Sequence, residues 1–213
     1  MIAELGTLVK TLAESLIRFT KMAQEVEKKA DNLGLLKIYF LLMDVQEDGC
    51  KLLELASPNP IDYVKTASSE ALGMRLKIWD AVLRRQGARL HEIKNYLDDR
   101  SDLSIIDPKA RKRIAIIVGS KRGRVFSLFN LGAGLFFRTV MPIGDSPEAI
   151  GELVIKTLDL QDSETLDLTK IKLELNELGE ALEEFRKLLF AFMSNEDVRR
   201  LSDQARRETR ISC

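Results

Sequence analysis

A single histidine and two cysteines stand in a chain of 213 residues. His91 alone excludes zinc centres that need two imidazoles, and the widely separated Cys50 and Cys213 cannot complete a four-ligand cage. Two such cysteines do not frame a disulfide-stapled secreted fold. The polar start Met1-Ile2-Ala3-Glu4 carries no apolar leader run, so the expected setting is the cytoplasm. A surplus of either charge is also missing: 33 Lys and Arg balance 33 Asp and Glu, which leaves no whole-chain field toward nucleic acid or membrane. Any electrostatic function has to be local. Long apolar runs are absent as well, since the longest largely apolar stretch without a charge, Val125 to Phe137, has 13 residues against about 20 for a spanning helix. No fixed-period repeat and no low-complexity tract occurs, so a solenoid is not expected.

What the chain does have is helical periodicity. Leu5, Leu8, Leu12, Leu16, Phe19, Ala23, Val26, Ala30 and Leu33 follow one another at steps of three and four, which predicts a first helix over 2–31. Asn32 and Gly34 supply a left-handed stop, after which Leu35, Leu36, Ile38, Tyr39, Leu42, Val45, Leu52, Leu53 and Ala56 predict a second helix ending at Ser57-Pro58-Asn59-Pro60. A third stripe, Leu72, Leu76, Trp79, Leu83, Gln86, Leu90, Ile93 and Leu97, keeps heptad spacing and predicts a helix over 62–99, about 57 Å long, unless Gly73 or Gly87 bends it. A compact chain of this size has a radius of gyration of about 17 Å, so an elongated shape is expected. Leu168, Ile171, Leu175, Leu178, Leu182, Phe185, Leu189 and Phe192 predict another long helix over 167–194. An amphipathic tail over 195–209 follows, with Val198, Leu201 and Ala205 on one face among arginines, and fraying is expected of it.

The expected fold class is therefore all-α: an elongated bundle of long antiparallel helices with coiled-coil-like heptad seams and a shorter-helix middle segment. As a single domain it divides into a three-helix portion at 1–100, a basic and apolar short-helix segment at 101–166, and at 167–213 a long helix packed on the bundle with its short tail. Strand character is confined to Arg113–Gly119, a β-branched run that the preceding Asp107-Pro108 start and its basic residues favour as helix.

The middle segment carries the candidate contact residues. From Pro108 to Gly144 there is no acidic residue, while Lys109, Arg111, Lys112, Arg113, Lys121, Arg122, Arg124 and Arg138 are interleaved with apolar side chains that include Phe126, Phe129, Phe136 and Phe137. Three readings fit: a core whose flanking cations pair with the acidic helices, a contact face for an acidic protein or nucleic acid, or an interfacial membrane element, the membrane being the weaker partner. Gly119 and Gly123 are one residue too close for a Walker A loop, and a helix cap followed by a turn explains them.

Arg84-Arg85-Gln86-Gly87-Ala88-Arg89-Leu90-His91 resembles the signature of HEPN ribonucleases, in which an arginine precedes a histidine by a few residues. The resemblance implies an all-helical dimer whose Arg84 or Arg85 stabilises phosphate while His91 moves a proton. It covers eight residues, and the heptad register puts Arg84 and His91 on the solvated face. Glu174, Glu177, Glu180, Glu183 and Glu184 spread over an outer helix face, with Glu183 and Lys187 as an i,i+4 pair, so they do not form a metal site. Cys50 reads as a small buried hydrophobe. No catalytic residue, metal or cofactor is assigned. The function expected is a non-enzymatic helical interaction or scaffold protein, self-associating through helix faces. A nucleic-acid-binding or HEPN-like RNA-cleaving protein is the alternative, and a membrane-active bundle the third reading.

Overall fold

The computed structural model describes residues 2–19, 25–58, 63, 66–98, 116, 168–191 and 193–210. Among the described residues the fold is all-α and contains no strand. Five helices form it: α1 (Ile2–Phe19), α2 (Glu25–Glu54), α3 (Ser69–Asp98), α4 (Leu168–Ala191) and α5 (Asn195–Glu208). Helix α2 is central and packs on α3, α4 and α5, while α4 also packs on α1.

The reason lies in the sequence of α2. Leu35, Leu36, Ile38, Tyr39, Leu41 and Leu42 are all buried, so apart from Lys37 this stretch is apolar on nearly every side and needs cover all round. The same fact corrects the expected helix boundaries. Asn32 and Gly34 do not stop a helix but lie inside α2. An interior glycine costs about 1 kcal/mol against alanine, whereas each buried leucine or isoleucine gains about 1.5–3 kcal/mol, so continuing the helix wins. The first helix accordingly runs over Ile2–Phe19, not to residue 31.

Helix α3 also starts later than the heptads imply, at Ser69. The Ser68 hydroxyl accepts from the Ala71 N–H at 3.2 Å, a capping bond that satisfies one of the free amides of the first turn. Beyond it the helix is continuous through Gly73 and Gly87. Leu5, Leu8, Leu12 and Leu16 of α1 join Leu178, Leu182, Phe185 and Leu189 of α4 in one buried cluster with the α2 residues, as their spacing predicts. Where α2 meets α4 the approach is close: a Cβ on Gly49 would stand 2.7 Å from Leu175 Cδ2.

The C-terminal tail is docked, not frayed. The Ser194 hydroxyl caps α5 by accepting from the Asp197 N–H at 3.1 Å, and Leu201 and Ala205 are buried. No helix among the described residues is long and apolar enough to cross a membrane. Within Arg113–Gly119 the structure describes Ile116, which is helical and 63% exposed.

Candidate functional site

On the side of α2 turned to α3 and α5, residues 37, 44 and 48 recur at helical spacing and are all charged. Lys37, Asp44 and Asp48 are buried, Asp48 to 2% exposure. Charges taken out of water at this depth have to be paired and hydrogen-bonded, and each is. Asp48 receives Arg85 Nη2 at 3.4 Å and a close contact from Arg89 Nη1. Asp44 receives Arg89 Nη2 at 3.4 Å and, from α5, Arg206 Nη1 at 2.7 Å. Arg89 also donates to the Asp44 carbonyl at 3.2 Å, and between the two arginines of α3 the buried Gln86 amide donates to the Val45 carbonyl at 3.3 Å. Contacts pairing 48 with 85, 44 with 89 and 37 with 96 make the numbers fall along α2 as they rise along α3, so these two helices run in opposite directions.

One turn or more toward the start of α2, Lys37 Nζ meets Glu208 at 2.6 Å and lies 5.1 Å from the centre of the Tyr96 ring. The hydrogen bond from Lys37, then one from Gln204, holds the Glu208 carboxyl below its usual range, while burial pushes the Tyr96 phenol up. Arg206 completes the group by lying over the Phe40 ring, 4.8 Å from its centre.

Two openings flank this polar stripe. A cleft of about 730 Å³ is lined by Asp44, Arg89, Asp203, Arg206, Arg207 and Arg210. A smaller one of about 340 Å³ is lined by Leu41, Ala88, His91, Glu92, Tyr96, Glu208 and Thr209. The second holds the only histidine of the chain, exposed at its rim.

The residues singled out in the sequence fall as follows. Arg84 is exposed and pairs with Asp80 at 2.9 Å, whereas Arg85 turns inward to Asp48, so the structure does not bring the two arginines to one place with His91. Glu183 takes Arg186 as its main partner at 2.6 Å, with Lys187 at 3.9 Å, and the Arg186 hydrogen bond holds its carboxyl low. Cys50 is half-buried instead of buried; burial first, then Glu54 and Glu47, pushes its thiol up, which makes it a poor nucleophile. Among the described residues no group of His, Cys, Asp or Glu is placed to hold a metal ion. Lys109, Arg111, Lys112, Arg113, Lys121, Arg122, Arg124, Phe126, Phe129, Phe136 and Phe137 lie outside the described residues.

Sequence reasoning missed the polar stripe. The available signal was a pair of i,i+4 doublets, Asp44 with Asp48 and Arg85 with Arg89, each bracketing a residue of the apolar spacing, Val45 and Gln86. No protein-family model, curated protein or solved structure matches the chain.

Proposed function

We propose that the chain is a non-enzymatic interaction protein that associates through helix faces, with a second copy of itself as the partner. The first half of α3 supports this reading. From Glu70 to Ala81 none of the described side chains is buried, while Val82, Leu83, Gln86, Leu90 and Ile93 farther along are. Met74 is 62% and Ile78 46% exposed, one turn apart on the same face. Two apolar side chains so placed are what a helix-to-helix seam covers, and zero net charge leaves two copies without long-range repulsion. An elongated antiparallel bundle with coiled-coil-like seams belongs to the same proposal, as does the basic segment at 108–144 as a contact for an acidic protein.

Light scattering across the micromolar range tests it. The wild type is expected to approach the mass of a dimer, and Met74→Glu with Ile78→Glu to remain a monomer of unchanged melting temperature. A wild type that stays monomeric throughout, or a double variant that still dimerises, overturns the reading.

A further inference from the structure

We propose that the cleft formed by α2, α3 and the end of α5 is a binding site for a small polyphosphorylated molecule, such as a nucleoside polyphosphate. Four guanidinium groups line it, those of Arg89, Arg206, Arg207 and Arg210, against the two carboxylates of Asp44 and Asp203. Asp44 is occupied by Arg89 and Arg206, and Arg89 is shared with Asp48, which Arg85 also neutralises. The cleft therefore keeps a surplus of two positive charges, and a dianionic or more highly charged ligand balances it.

The free donors point to phosphate. Arg207 donates through Nε to the Asp203 backbone carbonyl at 3.2 Å and acts on Glu208 only through its charge, and among the described residues neither it nor Arg210 forms an ion pair with a carboxylate. Both are exposed, so their forks remain open for the bidentate geometry that guanidinium makes with phosphate oxygens. Deeper in, the Nε–H of Arg89 is buried and has no hydrogen-bond acceptor among the described residues. A buried N–H left unpaired is costly, and a shift of the Arg89 side chain toward the cleft would bring it to a ligand oxygen. The volume of about 730 Å³ lies within the range of small-molecule sites and exceeds what one phosphate fills.

Failure here is distinguishable from failure of the self-association reading, because binding is read as heat on ligand addition and uses none of the Met74 and Ile78 face. Titration calorimetry on the full chain with pyrophosphate and with ATP is expected to show one site whose affinity falls as salt rises. Arg207→Ala with Arg210→Ala is expected to weaken binding by about tenfold or more, since charge-assisted hydrogen bonds are lost. Both residues lie outside the buried ion pairs, and circular dichroism of the variant should match the wild type. No heat with either polyphosphate at millimolar concentration overturns the proposal, as does undiminished binding in the double variant. Binding of single-stranded RNA in the absence of polyphosphate binding also overturns it, in favour of a strand-binding face.

Discussion

The seam that joins α4 to α1 and α2 is made of leucines, Ala181 and Phe185, whereas the one that joins α2 to α3 and α5 is threaded with Lys37, Asp44, Asp48, Arg85, Arg89 and Arg206. The first is non-directional: its leucines gain by leaving water whatever their exact neighbours, which gives stability and tolerates modest repacking. The second is directional. A guanidinium between two carboxylates holds only in one register, and its desolvation offsets much of its attraction, so it adds little net stability while excluding other alignments of α3 and α5 on α2. One helix thus carries adhesion on one side and address on the other.

The largest effect is expected in the apolar seam. Phe185→Ala removes a fully buried ring and should lower unfolding free energy by about 3–5 kcal/mol in urea denaturation; a loss below about 1 kcal/mol would mean that the leucine seam is not the source of adhesion. Next comes Asp48→Ala, which leaves Arg89 buried without its closest partner and should cost about 3 kcal/mol. Replacing the pair together, Asp48→Leu with Arg89→Met, should recover most of that loss, because Asp44 keeps Arg206 and Arg85 can reach water. If the double variant is as unstable as the single one, the stripe contributes stability and the contrast collapses.

Ser194→Ala deletes the cap of α5 and should cost about 1 kcal/mol, seen as faster hydrogen exchange in that helix and not in α4. Acid should act on the same helix. Glu208 has its carboxyl lowered in the folded chain, so its contribution is complete above the ordinary value of 4.5 and is lost as the pH falls through the lowered one. Exchange in α5 should accelerate in that window, and Lys37→Met should flatten the dependence by leaving exchange fast above the window as well. The smallest effect belongs to Arg84→Ala and His91→Ala, both exposed, each expected within about 0.5 kcal/mol of wild type by thermal melting.

The two seams also differ in how far they could be read beforehand. Leu5, Leu8, Leu12 and Leu16, or Leu175, Leu178, Leu182 and Phe185, announce a buried face by spacing alone, because an apolar side chain in a periodic row has one place to go. Asp44 with Asp48 and Arg85 with Arg89 carry no such mark. The same doublets on a helix surface are ordinary solvated residues, and only the packing of α2 against α3 sets one pair opposite the other. Helix ends were the other gap. Asn32 and Gly34 have the local chemistry of a stop, yet burial of Leu35, Leu36 and Ile38 overrides it, an effect no window of neighbouring residues contains. The same holds for the cleft at α5, whose four arginines come from α3 and from the chain around the end of α5, about a hundred residues apart.

The order of helices along the chain has a consequence for synthesis. Helix α5 is translated well after α2 and α3, and at about 5–20 residues per second the intervening 99–194 takes on the order of ten seconds. During that interval Lys37 and Asp44 lack Glu208 and Arg206. A nascent α2–α3 hairpin thus carries a charged flank toward the place of α5 beside an apolar flank that waits for α4, and α5 adds its ion pairs only when it arrives.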